Sequence, residues 1–455
     1  MPDDILPAHL APVFPAYEER FLCLVVSLLR APGSRVIYLT SQPVLPRVID
    51  YWFGLVRGLD TAEARSRLFL VSPVDGSPRP LTAKLLDRPR LLARVKRLVV
   101  DPRLAIIVPF MTRELEARLA LELDVPIYGS SPRLWALGSK SSARRIFAEE
   151  GVPLPAGVED VRARADLRDA LRALRDTRPG LEQAIVKLDQ SGSGLGNATI
   201  PLASGDLDAA IDTMELEDAD ASVEGFLAQL ESGGGIVEER LSGAEFRSPS
   251  VQLRASPTGE VEVLSTHDQV LGGRHGLSFL GCRFPADPGY ALEITALARR
   301  VGERLAREGV LGRFALDFVV VRNRGAWRPY AIEINLRCGG TTHTFMALQA
   351  LTDGIYDVER GLFTDPEGRP KHYAATDHLE SPRYARLTPE DLFDILAERG
   401  LGWDERAMTG VAFHMVSALA AAGRVGATAI GETPAEADAL LDQTRRVLDE
   451  ESGGA

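Results

Sequence analysis

Two carboxylates, an amide and a guanidinium fall on one predicted hairpin with a spacing that suits a metal-bound phosphate. The first strand reads Phe314-Ala-Leu-Asp317-Phe-Val-Val-Val321, the turn Arg322-Asn-Arg-Gly325, and the return strand Tyr330-Ala-Ile-Glu333-Ile-Asn335-Leu-Arg337. Side chains alternate along a strand, so Glu333, Asn335 and Arg337 share one face, and Tyr330, Ile332, Ile334 and Leu336 take the other. Closing the hairpin at the Asn-Arg-Gly turn sets Asp317 opposite Glu333, within a residue of register. Facing carboxylates in an apolar sheet repel unless a cation lies between them. With Asn335 added, the oxygens suit a hard divalent ion such as Mg2+. Arg337 on the same face suits a multiply charged phosphate. The competing reading is a pair of solvated charges on an open sheet face. The next residues, Cys338-Gly-Gly-Thr-Thr-His343, read as a loop that a ligand can approach closely.

Three upstream segments have residue types for holding anions or a nucleoside. Gly138-Ser-Lys140-Ser-Ser precedes a helix predicted over 143–150, which Gly151 ends and Pro153 and Pro155 prevent from continuing. Lys140 then lies near a helix N-terminus, where backbone N–H groups favour an anion; alone, it reads equally as surface. Ala184-Ile-Val-Lys187-Leu-Asp-Gln-Ser191-Gly192-Ser193-Gly194-Leu-Gly196-Asn197 reads as strand, glycine-rich loop, strand. It lacks the Gly-Lys-Ser/Thr and the following helix of a P-loop. Such a loop can fold its N–H groups over nucleotide phosphates within reach of Lys187, or it is an ordinary glycine-rich hairpin. In Ile236-Val-Glu238-Glu239-Arg-Leu241-Ser-Gly-Ala-Glu245, the backbone near Leu241 can face an adenine edge and Glu245 can accept from ribose hydroxyls. A plain charged strand end accounts for that segment as well.

The length, 455 residues, suggests about three domains. A formal charge of −12 argues against nucleic acid or an anionic membrane as partner. The three cysteines, Cys23, Cys282 and Cys338, lack zinc-like spacing and point to a reducing compartment. The N-terminal residues lack signal-peptide character, and no apolar run reaches the roughly 20 residues of a membrane span. A cytoplasmic protein is therefore expected.

Residues 1–135 alternate short apolar strands (36–40, 68–71, 105–109, 125–128) with helices (44–59, 112–123), the pattern of a parallel α/β domain. No Gly-x-Gly-x-x-Gly follows the first strand, which disfavours a dinucleotide site. The basic run 84–103 reads as the solvated face of an amphipathic helix. Residues 157–180 read as a polar helix and 251–254 and 261–267 as strands. A polar, glycine-rich loop over 268–288 carries Gln269, Arg274, His275 and Arg283, and a helix over 289–308 leads into the hairpin. Beyond it, 363–380 reads as loop, 387–399 as a helix, 410–419 and 423–430 as a strand pair with His414 as a satisfied core residue, and 434–450 as a closing helix. The fold class is thus α/β and α+β: an N-terminal parallel α/β domain, a central part with antiparallel sheets, and a small C-terminal α+β module.

Taken in order, Lys140, Lys187 with its glycine loop, the Glu238–Glu245 segment, Asp317 and Glu333-x-Asn335-x-Arg337 resemble the ATP-grasp ligases over roughly residues 136–350. A narrower resemblance, to the pheganomycin-type peptide ligases, rests on Tyr51 in Val48-Ile-Asp-Tyr-Trp, Leu81-Thr-Ala-Lys-Leu-Leu-Asp-Arg-Pro-Arg-Leu, Gly138-Ser-Lys-Ser, His267-Asp-Gln, Gly281-Cys-Arg-Phe-Pro and the C-terminal module. The resemblance implies a pre-ATP-grasp domain over 1–135, an ATP-grasp domain over 136–360, and a module over 361–455 that covers the substrate site. It implies ATP and two Mg2+ as cofactors. Lys140, Lys187 and the loop Ser191, Gly192, Ser193 and Gly194 would hold the phosphates, Glu238 and Leu241 the adenine, and Glu245 the ribose. Asp317, Glu333 and Asn335 would carry the metal, and Arg337 would stabilise the transferring phosphoryl group. Gln269, Arg274, His275, Arg283 and His343 are candidates for gripping a carboxylate or peptide.

The implied reaction joins a small-molecule carboxylate to an amine or peptide through an acyl phosphate, releasing ADP and phosphate, in natural-product peptide biosynthesis. No nucleic-acid or membrane partner is expected, and a homodimer is left open. A kinase-like phosphotransferase is disfavoured: Leu316-Asp-Phe-Val319 lacks the glycine of its metal motif, and no His-Arg-Asp occurs. The alternatives kept are another ATP-grasp chemistry, such as carboxylation, and a nucleotide-binding regulatory protein without turnover.

Overall fold

The hairpin forms around a two-residue turn. Arg324 and Gly325 both take positive φ (52° and 88°), which matches the right-handed twist of the flanking strands. Strands Gly312–Asn323 and Ala326–Asn335 pair antiparallel from Asn323↔Ala326 to Ala315↔Asn335, with a bulge between Asp317 and Phe318. The computed structural model describes residues 13–191, 194, 196–202, 205–274 and 276–453. These residues fall into two compact units. One holds Met1–Tyr128, Gly281–Pro285 and Gly340–Ala455; the other holds Gly129–Leu280 and Ala286–Gly339. The first unit therefore draws on both the 1–135 and the 361–455 regions.

The second unit contains two antiparallel sheets. One has the strand order Gly157–Val161, Gly235–Glu239, Gln183–Leu188, Asn197–Pro201, Glu215–Leu216. Helices Arg164–Thr177 and Val223–Gly233 pack on it through Leu167, Leu171, Leu174, Phe226 and Leu230, which fill a core with Val186, Ile200 and Val237. The polar helix expected over 157–180 is thus a strand followed by a helix. In the other sheet, the hairpin continues through Glu245–Ala255 to Val261–Gly272. Helix Ala291–Arg307 packs on that sheet, with Gly302 placed so that a Cβ would come 2.9 Å from Leu253. The loop expected over 268–288 is mostly sheet: one strand runs on to Gly272, and a further strand spans Ser278–Phe284.

In the first unit, strands Val36–Leu39 and Leu68–Val71 pair in parallel, as expected. The next two expected strands reduce to a single parallel bridge, Ile107↔Ile127. Pro109 and Pro126 remove ladder donors there, and Ile106 and Val108 are left exposed. The basic run is broken by Pro89 into helices Leu81–Leu86 and Pro89–Leu98. Lys84 is not on a solvated face. It is fully buried, and its ammonium donates to the Asp75 and Ser77 carbonyls and to Ser41 Oγ.

Strand His372–Glu380, expected as loop, pairs antiparallel with Gly281–Phe284 on one side and with Arg424–Gly431 on the other, and Gly410–His414 completes the row. Helix Pro434–Glu451 packs against these strands. The Cys338–His343 loop ends earlier than expected, because helix Thr342–Thr352 already includes His343.

Candidate active site

Asp317 and Glu333 are direct cross-strand partners. Asp317 also lies opposite Ser250 on the neighbouring strand, and Asn335 Nδ2 donates to its Oδ2 at 3.0 Å. Burial, with the Glu333 charge adding to it, pushes the Asp317 carboxyl up to about 6, against the opposing pull of Ser250, Arg337 and Asn335. A divalent cation held by Asp317, Glu333 and the Asn335 oxygen would relieve that repulsion, and an all-oxygen donor set fits a hard ion such as Mg2+. Arg337 lies just past the strand end, where its Nη1 donates to the Cys338 carbonyl at 3.0 Å.

Lys140 connects this hairpin to the glycine-rich loop. It opens helix Lys140–Glu149, whose N-cap Ser139 accepts from the Ser142 N–H. Its ammonium donates to Ser191 Oγ at 3.1 Å and lies 3.7 Å from Glu333 Oε1. Gly138 allows this approach: a Cβ there would come 3.2 Å from the Ile334 carbonyl. The helix end carries an anion of the chain's own, since Ser141 N–H donates to Asp189 Oδ1 at 2.8 Å. Asp189 and Ser250 are site residues that sequence reasoning missed. The position of Asp189, two residues after Lys187 on the same strand face, was the available signal.

Lys187 and Glu238 form a buried ion pair across neighbouring strands. Arg144, one helical turn after Lys140, donates to Glu238 Oε2 at 3.3 Å and to Glu159 Oε1 at 2.7 Å. The Glu238 side chain therefore holds two cations in place rather than facing an open base site. Arg144 was also missed, although its spacing of four from Lys140 puts the two on one helix face.

The glycine loop approaches the turn before Ser278. Gly194 has φ +82°, and a Cβ on it would fall 2.3 Å from the Leu277 carbonyl. Only glycine fits there. Gly192, Ser193 and His275 lie outside the described residues. Leu241 follows strand Gly235–Glu239 without regular structure. Glu245, in cross-strand register with Arg322, pairs with that guanidinium at 2.9 Å at a partly exposed position.

Of the described residues expected to grip substrate, Gln269 and Arg274 belong to the second unit and Arg283 and His343 to the first. Gln269 is half-buried on strand Val261–Gly272, and Arg274 is exposed. Arg283 is exposed and pairs with Asp438 at 2.7 Å. His343 is buried within helix Thr342–Thr352, with its ring against His414, which leaves it no open face.

A family model described as IQCH-like, ATP-grasp matches residues 220–359, and one described as the PGM1 C-terminal domain matches 391–444. The chain is 34% identical over 441 residues to the L-propargylglycine–L-glutamate ligase of Streptantibioticus cattleyicolor, covering 94% of this chain and 89% of that one. It is 23% identical to IQ motif-containing protein H of Danio rerio, of which it spans 42%. Among solved structures, the biotin carboxylase domain of Hydrogenobacter thermophilus 2-oxoglutarate carboxylase, crystallised with MgADP and bicarbonate, superposes with a TM-score of 0.57 at 12% identity, over 93% of this chain and 87% of that one. That likeness shows a shared fold.

Proposed function

The chain belongs to the ATP-grasp ligases, in the family of pheganomycin-type peptide ligases, and on that premise we propose how its residues run the reaction. The reaction is ATP-dependent amide-bond formation between a carboxylate and an amine. The substrate carboxylate attacks the γ-phosphorus of ATP, and the bond to the ADP oxygen breaks, leaving an acyl phosphate. The amine then attacks the acyl carbon, phosphate leaves, and the amine gives up a proton. For donor and acceptor we propose two amino acids, as the name of the Streptantibioticus relative suggests.

Neither step needs a nucleophile from the protein; both need alignment and charge neutralisation. The observation that carries the reading is the Asp317–Glu333 pair with Lys140 reaching both Glu333 and Ser191. In the proposal, Asp317, Glu333 and Asn335 hold two Mg2+. The chemistry that Mg2+ would supply at these residues is neutralisation of phosphate charge. Lys140 and Lys187 hold the phosphates, and Ser191 to Asn197 close over them. Glu238 and Arg144 fix Lys187. The Leu241 backbone and Glu245 serve the adenosine, and Arg337 meets the charge that builds on the transferring phosphoryl group. Gln269 and Arg274 remain the candidates for the substrate carboxylate.

The test is product analysis after incubation with Mg2+-ATP and pooled amino acids. The expected products are ADP, phosphate and a new mass equal to two components minus water. AMP in place of ADP would overturn the acyl-phosphate mechanism.

A further inference from the structure

Three ligand-type atoms from three separate elements converge in the core of the first unit, and none of them belongs to a residue assigned above to ATP or Mg2+. His343 comes from helix Thr342–Thr352, Asp377 from strand His372–Glu380 and His414 from the end of strand Gly410–His414. All three are buried, at 2%, 6% and 3% exposure. His343 Nε2 lies 3.1 Å from His414 Nε2 and 3.4 Å from Asp377 Oδ1, and His414 Nε2 lies 2.7 Å from the same oxygen. The three atoms form a triangle with sides of 2.7, 3.1 and 3.4 Å.

Hydrogen bonding alone satisfies this triangle poorly. A neutral imidazole carries one N–H, and two Nε2 atoms pointing at each other share at most one proton well. If His414 Nε2 donates to Asp377, its proton is taken. His343 Nε2 then has only the longer contact to Asp377 left. A tetrahedral ion with bonds near 2.0–2.2 Å sets its ligand atoms about 3.3 Å apart, close to the spacing here.

The surroundings suit such an ion. Arg20 donates to the other Asp377 oxygen, Oδ2, at 2.9 Å, which orients the carboxylate and leaves Oδ1 for the two rings. Gly426 lies opposite His414 in the strand pair, and a Cβ there would fall 2.1 Å from His414 Nε2. Glycine at that position leaves room for the ring.

We propose that His343 Nε2, His414 Nε2 and Asp377 Oδ1 bind one first-row transition-metal ion of the Zn2+ class, with the fourth position left to water or another small ligand. Two imidazoles and one carboxylate select such an ion over Mg2+, which prefers an all-oxygen shell. The ion would tie helix Thr342–Thr352 to the two strands.

The test uses the full chain, freed of metal with a chelator and titrated with Co2+ without nucleotide. It is run in the Glu333→Gln background so that the hairpin contributes little. The expected result is one equivalent bound with the intense visible bands of tetrahedral Co2+, and a raised melting temperature. His343→Gln and His414→Gln should each lose those bands, and Gly426→Ala, which displaces the His414 ring but removes no ligand, should weaken binding at least tenfold. X-ray absorption on the wild-type adduct should count two imidazoles, a reading that does not depend on any variant folding. No bound equivalent in the parent, or an adduct without imidazole ligands, would overturn the proposal and leave the cluster as a proton-sharing triad.

Discussion

Asp317 and Glu333 face each other across adjacent strands of one hairpin, and Lys140 lies 3.7 Å from Glu333 Oε1. The sheet holds two carboxylates together, and the helix N-terminal lysine links them to the glycine-rich loop through Ser191. Charge pairs of this kind are costly to maintain unless a ligand uses them.

Arg337 is expected to act mainly in the transition state. Arg337→Ala should lower kcat by about 10²–10³-fold with little change in the KM for ATP. Steady-state kinetics over a range of ATP concentrations check this. A rise in KM at unchanged kcat would assign Arg337 to ground-state binding instead.

Glu238 lies between Lys187 and Arg144, all three buried. Glu238→Ala takes from Lys187 its carboxylate partner, leaves Arg144 with Glu159 alone, and should destabilise the second unit by about 3–5 kcal/mol. Denaturant unfolding gives the value. A loss below about 1 kcal/mol would mean that water already screens this network.

Gly194→Ala has two obstacles: a left-handed backbone conformation and a Cβ position 2.3 Å from the Leu277 carbonyl. The loop must shift, so the KM for ATP should rise several-fold while the product stays the same. Unchanged ATP kinetics would detach this loop from nucleotide binding.

His267 is fully buried, and burial alone lowers its pKa to about 3. Its folded value lies below the unfolded value near 6.5, so the unfolded chain takes up the proton first as pH falls. This contribution to stability is present above about pH 6.5 and is lost progressively toward pH 3. Between pH 7.5 and 5 this contribution should fall by roughly 2 kcal/mol, and the acid loss of His267→Gln should be smaller than that of the parent by that amount. Urea midpoints for both proteins at the two pH values decide the matter, and an equal acid loss in the variant would shift the cause to other groups.

Much of the hairpin was legible in the sequence because strand alternation and a two-residue turn fix register locally. That is why Asp317 and Glu333 meet as expected. Lys140 was legible for a similar reason, through Ser139 and the helix that follows. Burial of charge was not legible. Lys84 has the spacing of a surface residue, and only its three oxygen partners, one on Ser41 and two in the segment 75–77, make it a core residue. Strand His372–Glu380 went unseen because Thr376, Asp377 and His378 interrupt its apolar alternation. The same interruption hid the relation of Asp377 to His343 and His414, residues from three distant segments that only the fold brings together.

The most direct measurement is turnover by Glu333→Gln, an isosteric change that removes one charge from the hairpin pair. ADP release and amide formation should fall by at least 10³-fold, with the melting temperature unchanged or raised as the repulsion with Asp317 is relieved. Near wild-type turnover by a folded Glu333→Gln protein would contradict the assignment of this hairpin as the site where phosphoryl transfer occurs.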